Sequence, residues 1–439
     1  MLRTEGFRKY LSNTSWLFGE QMVRLVVVLA TGIYVARYLG DSLFGQLNYA
    51  TGFVGMFFAL SAMGVDQIIA RDLVKRPERR DALLGTAAAI KLLGAGILLI
   101  VVMLVSAAKN MDGFTTVLVL IIAIAELLRP FTVIEQYFMA QVKAHRMVRV
   151  QLVQVLISAG FKLGLIALGA PLVWFAWVYV LEGLVTAVGY TWLLKRDGMS
   201  MRTWRVSRAT MGYVLGQSWP MLVYGVALYI QAKIDQVMIG DLLARTQGKE
   251  AAYAEVGQYS VALKMIEALG FLPTIVQRSL APAVTRARAQ DPVLYADRML
   301  NLYRLMFLLF LVTSVPLYFA AEPMIVWLYG EEYRPAGFLL SLFAIRLFFT
   351  NMGVAKASFI TNESLFRYAL LTAIVGAGLN IAINYVLIPQ YRSIGAIWAT
   401  IISFGVSIFV LDLFFKRTRV NLGWMLKGIG TFWRFHRAN

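Results

Sequence analysis

The sequence predicts an all-α integral membrane protein with twelve transmembrane helices in two six-helix lobes. Three observations support this fold class: an apolar composition, a regular series of long apolar segments, and an uneven distribution of basic residues. Of the 439 residues, 59% are hydrophobic and only 15% are charged, whereas charged residues make up about 25% of a soluble domain. So apolar a chain has too little polar surface to cover its core in water, and the lipid bilayer is the solvent that fits.

Each predicted helix is a run of roughly 20 or more mostly apolar residues, the length that crosses the hydrocarbon core. The first run follows a basic, polar segment and is too long for the apolar part of a signal peptide, so we interpret it as a transmembrane helix. The twelve runs are 12–38, 43–65, 83–108, 115–140, 149–169, 172–194, 210–242, 255–282, 299–321, 336–361, 367–389 and 393–415.

The basic residues predict the orientation of these helices. With the N-terminus inside, 26 of the 42 Lys and Arg residues lie in cytoplasmic segments and five lie in external loops. Because basic residues concentrate on the cytoplasmic side of membrane proteins, we expect both termini to be cytoplasmic. The same distribution explains the net charge of +18 without a nucleic-acid partner, which a soluble protein of this charge would suggest.

A pair of short motifs occurs twice and indicates an internal repeat. The first copy is Gly40-Asp41 and Gly45-Gln46, around the first two helices, and the second is Gly240-Asp241 and Gly257-Gln258, around helices seven and eight. Two halves of six helices enter the membrane from the same side, which predicts a pseudo-two-fold axis along the membrane normal. The predicted divisions are an N-terminal lobe (1–200), a C-terminal lobe (201–415) and a basic tail (416–439). The tail is either an amphipathic helix on the cytoplasmic leaflet or a frayed basic end.

Eleven Lys and Arg residues lie within the predicted spans, against fewer acidic residues. A charge inside a bilayer is energetically expensive, so its default interpretation is functional. Deep basic residues on five helices predict one hydrated, cationic cavity for an anion; these are Arg24, Lys91, Arg129, Lys264 and Arg346. The alternative is structural, because Glu20 with Arg24 and Glu126 with Arg129 have the spacing of ion pairs on one helix face. Glu20, Glu126 and Glu182 are the predicted proton-coupling groups.

The sequence offers little for catalysis. There is no cysteine and there are only two histidines, so thiolate chemistry, a metal centre and a Ser-His hydrolase are not expected. No phosphate-binding loop of the Walker type is present. We therefore predict a transporter and not an enzyme, with no cofactor.

Three segments in order resemble one family. The segments 36–75 (ARYLGDSLFGQLNYATGFVGMFFALSAMGVDQIIARDLVK), 327–337 (WLYGEEYRPAG) and 379–403 (LNIAINYVLIPQYRSIGAIWATIIS) resemble the bacterial polysaccharide-unit flippases of the Wzx type. These serve O-antigen and exopolysaccharide synthesis and belong to the multidrug/oligosaccharidyl-lipid/polysaccharide superfamily.

The resemblance implies a flippase in the bacterial inner membrane. Its substrate would be an undecaprenyl-pyrophosphate-linked oligosaccharide, moved from the cytoplasmic to the periplasmic leaflet by an ion gradient. By position, Arg24 matches the family's functional basic residue on the first helix, and Lys233 and Lys264 match basic residues on helices seven and eight more weakly. With Lys233 added, the predicted cationic, substrate-binding cavity has six basic residues. Expected partners are the lipid bilayer, a polysaccharide polymerase and a chain-length regulator.

Two other functions remain open at this point. A multidrug or cation extruder of the same fold would need an acidic cavity, whereas the embedded excess here is basic. A non-transporting membrane scaffold for polysaccharide assembly would need no cavity at all. A lipid II flippase is a poorer match, because that family carries two further helices.

Overall fold

The computed structural model describes residues 5–434, with side chains from Ser15 onward, and this part of the chain is helical without any β-strand. The predicted all-α membrane fold is therefore confirmed. The α-helices are α1 Glu5–Gly55, α2 Phe58–Ala62, α3 Asp66–Lys75, α4 Arg80–Ala108, α5 Gly113–Ala125, α6 Val133–Ala140, α7 Ala144–Ala167, α8 Leu172–Arg196, α9 Arg208–Gln247, α10 Lys249–Leu269, α11 Phe271–Gln290, α12 Pro292–Tyr329, α13 Arg334–Asn362, α14 Phe366–Gly405 and α15 Lys416–Gly430.

Ten continuous helical segments of the described chain are long and apolar enough to cross a membrane. Two of these contain a residue with non-helical backbone, Gly40 in α1 and Arg392 in α14, and both lie in the gaps between predicted spans. At the second break the chain reverses, since a Cβ placed on Gly395 would lie 2.6 Å from the carbonyl carbon of Leu387. Eight residues of straight helix would separate the two by about 12 Å. Ten continuous segments with two internal breaks accommodate the twelve predicted spans.

Two further departures from α-helix lie beside charged side chains. Between α5 and α6, residues Glu126–Thr132 form a 3₁₀ helix that contains Pro130, a residue that has no N–H to continue the α-helical ladder. After α14 come a π-helical turn, Val406–Val410, and a short 3₁₀ helix, Leu411–Leu413. Such breaks free backbone groups and frequently occur at functional positions.

The chain forms two compact units. The first unit comprises the residues up to Leu39 together with Gln46–Lys233, and the second comprises Gly40–Gly45 together with the chain from Ile234 onward. Each unit has its own apolar core: in the first it is built from α3, α4, α6, α7, α8 and the start of α9, and in the second from α11, α12, α13 and α15. The predicted lobe boundaries near residue 200 stay a prediction.

The second unit contains a close contact between the two copies of the repeated motif. A Cβ on Gly45 would lie 2.7 Å from the backbone nitrogen of Gly257, and a Cβ on Gly257 would lie 2.9 Å from the carbonyl carbon of Asp41. Gln258 Nε2 donates to Asp41 Oδ2 at 3.0 Å and to the Glu332 carbonyl at 2.9 Å. Only glycine allows backbones to approach this closely.

The tail is helical over α15, and its residues 435–439 lie outside the described residues. Its buried residues recur every three or four positions, from Thr418 to Gly428, and Met425 is part of the core of the second unit. Asn421 Oδ1 accepts a hydrogen bond of 2.5 Å from the Tyr303 hydroxyl. One side of this helix is thus occupied by protein, and its contact with lipid stays a prediction.

Candidate functional site

Lys91 lies at the centre of a polar cluster in the first unit. Its side chain is 1% exposed, and its ammonium nitrogen lies 2.5 Å from Asp66 Oδ1 at the start of α3. The same nitrogen donates to Thr132 Oγ1, at the end of the 3₁₀ segment, at 2.9 Å. Burial of the ammonium is tolerated because the carboxylate and the hydroxyl replace water around it.

Arg129 and Glu126 form a second pair in the same cluster, on the 3₁₀ segment itself. Arg129 Nη1 lies 2.8 Å from Glu126 Oε2, and the Ser61 hydroxyl donates to the same oxygen. The Arg129 guanidinium also lies 5.5 Å from the ring centre of Phe58. The break near Pro130 therefore holds both charges and joins them to α2.

Arg24 and Glu20 form the third pair, one turn apart on α1. Arg24 Nε lies 2.5 Å from Glu20 Oε1; the carboxylate side chain is 8% exposed and the arginine side chain 35%. Arg24 and Lys91 both lie within electrostatic reach of Glu135, which accepts a hydrogen bond of 3.3 Å from the Tyr190 hydroxyl. The first unit thus brings together three of the predicted basic residues: Arg24, Lys91 and Arg129.

The described part of this cluster has one more carboxylate than it has basic groups. The three cations face four carboxylates, Glu20, Asp66, Glu126 and Glu135. The predicted ion-pair spacing on α1 and near Pro130 corresponds to real contacts. Glu182, the third predicted coupling group, accepts from Ser158 and from Lys162, whose nitrogen lies 3.1 Å away. Each predicted coupling carboxylate therefore has a basic partner.

Two of the cations retain hydrogen-bonding capacity. Of the three guanidinium nitrogens of Arg24, only Nε donates a hydrogen bond to a described residue. Of those of Arg129, only Nη1 does. The remaining nitrogens of both guanidiniums have no acceptor there, and both side chains are partly exposed. A guanidinium offers five N–H groups in a planar fork that suits phosphate oxygens.

The other predicted basic residues occupy different surroundings. Lys233 lies at the end of the first unit. Its aliphatic Cγ is 3.3 Å from the position that a Cβ added to Gly55 would occupy. In the second unit, Lys264 lies 4.3 Å from the ring centre of Phe44, and Arg346 lies 5.3 Å from that of Phe404. These are cation–π geometries, which suit partly desolvated cations. The single shared cavity for all six residues stays a prediction.

The second unit holds a buried carboxylate with only neutral partners. Asp235 on α9 is 5% exposed, and its Oδ2 accepts from the Tyr259 hydroxyl at 2.6 Å and from Thr400 Oγ1 at 2.7 Å. Its Oδ1 accepts from Asn384 Nδ2 at 2.7 Å. No basic group of the described residues lies within 4 Å of this carboxylate, although Arg346 interacts electrostatically with Tyr259 from farther away. We call Asp235, Tyr259, Asn380, Asn384 and Thr400 the Asp235 cluster.

One oxygen of the Asp235 cluster has no partner among the described residues. Asn384 Nδ2 also lies 3.3 Å from Asn380 Oδ1, but the buried Oδ1 of Asn384 accepts no hydrogen bond. An unpaired buried acceptor beside an uncompensated carboxylate is unfavourable unless a cation or proton completes the site. The sequence did carry a signal, because Asn380 and Asn384 are one helical turn apart within an apolar span.

Comparison with known proteins identifies relatives of this chain. A family model described as "Polysaccharide biosynthesis protein" matches residues 10–288, and no curated protein matches in sequence. An inward-facing multidrug resistance transporter of the MATE family and MOP superfamily shares the fold, with 15% identity and a TM-score of 0.66 over 93% of this chain and 95% of its own. The lipid II flippase MurJ, in an inward closed conformation, has 11% identity and a TM-score of 0.65 over 96% of this chain and 92% of its own.

Proposed function

Because this chain belongs to the polysaccharide biosynthesis protein family, as a multi-pass membrane protein with a transporter fold, we propose that it flips a lipid-linked oligosaccharide. The substrate is an undecaprenyl-pyrophosphate-linked repeat unit, carried from the cytoplasmic to the periplasmic leaflet of the bacterial inner membrane by alternating access. Both termini face the cytoplasm in this proposal. A polymerase and a chain-length regulator are its proposed partners.

The observation that carries this proposal is the unfilled donor capacity of Arg24 and Arg129. The substrate has an anionic pyrophosphate that must cross a medium where an isolated charge is unfavourable. The ion pairs with Glu20 and Glu126 keep both arginines neutralised before substrate arrives. The remaining N–H groups then bind pyrophosphate oxygens, while the polyprenyl tail stays in lipid. The fold shared with a lipid II flippase supports a substrate of this class.

Replacing Arg24 and Arg129 together with alanine is expected to reduce flipping at least about tenfold. A hydrogen bond to a charged group contributes about 1.5–3 kcal/mol, and 1.4 kcal/mol corresponds to a factor of ten. The rate is measured in proteoliposomes as the fraction of lipid-linked oligosaccharide that becomes accessible to a membrane-impermeant oxidant of sugars. The lysine double variant, which keeps the charge and loses the fork, should be intermediate.

The matched control is Arg79→Ala, which removes an exposed arginine outside the cluster and should leave the rate unchanged. If the double alanine variant is present at the normal protein level and still flips at the wild-type rate, the proposed role of these arginines is wrong. Resistance to cationic drugs on expression, without any flipping, would favour the multidrug extruder instead.

We propose that the Asp235 cluster binds the coupling ion, a sodium ion or a proton. Its carboxylate, amide and hydroxyl oxygens are the hard ligands that such ions take. The absence of a basic partner within 4 Å, in the described chain, leaves a charge that one monovalent cation neutralises. Glu20, Glu126 and Glu182 suit this role less well, because each already has a basic partner.

The isosteric change Asp235→Asn is expected to abolish the dependence of flipping on the ion gradient. If the ion is sodium, the wild type should also unfold at a higher temperature in sodium chloride than in choline chloride, because a ligand that binds only the folded state stabilises it. If the ion is a proton, flipping should follow the pH gradient. The comparison variant is Glu182→Gln: loss of ion dependence in this variant alone would move the coupling site to Glu182.

A further inference from the structure

A cavity of about 410 Å³ lies between α7 and α8 in the first unit, away from both polar clusters. Its volume falls within the range of roughly 300–1,000 Å³ that is usual for small-ligand sites. The two helices meet closely beside it, since a Cβ on Gly189 would lie 2.6 Å from Val150 Cγ1. The close contact fixes one wall of the cavity to the other.

One end of the cavity is strongly basic. Arg146 and Arg149 line it from α7, and Arg196 lines it from the last turn of α8. Arg146 donates to Asp197, and Lys143 lies 3.4 Å from that same carboxylate. One acidic group is therefore shared by two cations, and an excess of positive charge remains.

Arg149 and Arg196 are the groups available to a ligand. Both are exposed, and Arg149 makes no hydrogen bond or ion pair with any described residue. The Arg196 guanidinium lies 5.3 Å from the ring centre of Trp192, which orients it and leaves its N–H edge open. Two forks of N–H donors on neighbouring helices can bind one phosphate from two sides.

The other end of the cavity is apolar. Val153 and Val185 line it, and Val153 lies four residues after Arg149, on the same face of α7 and about 6 Å along its axis. Trp192, which is 55% exposed, lies between the two ends, as tryptophan does at membrane interfaces. Charge, aromatic ring and apolar wall thus follow one another in the order of headgroup, glycerol and acyl chain.

We propose that this cavity binds an anionic glycerophospholipid of the surrounding leaflet. Arg149 and Arg196 hold its phosphate diester, and an acyl chain runs over Val153 and Val185. Basic pockets between transmembrane helices are suited to anionic headgroups. A zwitterionic headgroup would bring its ammonium among the arginines, and a free phosphate would leave the valines unused. This site goes beyond the proposed flipping function and does not depend on it.

Native mass spectrometry of the full-length protein in detergent tests the proposal, with phosphatidylglycerol, phosphatidylethanolamine and inorganic phosphate as probes. The wild type should bind phosphatidylglycerol at least about tenfold more tightly than phosphatidylethanolamine. The variant Arg149→Gln/Arg196→Gln should lose at least about tenfold in affinity for phosphatidylglycerol only. An unchanged unfolding temperature shows that this variant is folded, and the double lysine variant should retain most of the binding.

The matched control is Arg76→Gln/Arg79→Gln, which removes two exposed charges from a different segment and should leave lipid binding unchanged. Equal binding of the two lipids would overturn the proposal, as would unchanged binding by the Arg149 and Arg196 variant. Displacement of the lipid by inorganic phosphate at equal concentration would identify a site for a soluble anion and would also overturn it.

Discussion

Replacing Gly257 with alanine is expected to prevent the second unit from folding stably. The added Cβ would overlap the backbone carbonyl of Asp41, and backbone atoms, unlike the end of a flexible side chain, cannot turn aside. Overpacking typically costs 1–3 kcal/mol and occasionally more, and we expect about 3 kcal/mol or more here. Gly45→Ala should behave in the same way, because its Cβ would overlap the carbonyl of Tyr253.

Thermal unfolding in detergent, followed by intrinsic tryptophan fluorescence, measures this effect, with the monodisperse yield as a second readout. Gly96→Ala in α4 and Gly164→Ala in α7 are the matched controls, since no atom of the described residues lies within 4 Å of a Cβ at either glycine. Alanine in a helix interior is about 0.5–1 kcal/mol better than glycine, so these controls should be neutral or stabilising. A wild-type unfolding temperature for Gly257→Ala would show that α10 and the Gly40–Gly45 segment are less closely packed than described.

Removing Lys356 is expected to destabilise the second unit by about 3–5 kcal/mol, the usual effect of leaving one partner of a buried ion pair uncompensated. Lys356 Nζ lies 2.6 Å from Asp412 Oδ1, and both side chains are almost fully buried. Tyr368 and Asn421 also donate to the Asp412 carboxylate, so this group connects α13, α14 and α15. The variant Lys356→Met keeps the side-chain volume and removes the ammonium, together with its hydrogen bonds to the carbonyls of Ser407 and Ile408.

A double-mutant cycle with Asp412→Leu measures the coupling between the two charges. The double variant should be clearly more stable than the sum of the single effects implies, because it leaves no unpaired charge. The surface pair of Arg334 and Glu331, with 54% and 70% of the side chains exposed, is the control. Arg334→Met should leave the unfolding temperature almost unchanged, because a solvent-exposed ion pair contributes little to stability. Additive effects at Lys356 and Asp412 would contradict the interpretation.

Hydropathy predicts where this chain crosses the membrane, because each crossing needs a long apolar run whatever it packs against. It does not predict the breaks inside a run. The predicted span 115–140 contains Pro130, and its central residues form a 3₁₀ helix. The predicted span 43–65 ends as an α-helix at Gly55 and resumes only in the short α2. Such breaks depend on which neighbouring group satisfies the freed backbone, and that information is not local.

The ion pairs of the candidate site can be predicted from the sequence where the two charged residues are near each other in the chain. The pairs of Glu20 with Arg24 and of Glu126 with Arg129 follow from helical spacing alone. The pair of Lys91 with Asp66 does not, since it joins two helices. Helical spacing relates only Asn380 and Asn384 within the Asp235 cluster; it does not relate them to the carboxylate, because Asn384 and Thr400 lie 149 and 165 residues from Asp235.

The Gly40–Gly45 segment implies that the second unit can be completed only after both halves of the chain have been synthesised. It belongs to the second unit, yet the ribosome makes it 212 residues before Gly257, against which it packs. Consider the gene divided within the basic loop 195–209, so that the two halves are made as separate polypeptides. The second half alone would then lack the Gly40–Gly45 segment and would expose a groove along α10. Co-expressed halves should therefore rescue each other, as in fragment complementation, whereas the second half made alone should be cleared by quality-control proteases.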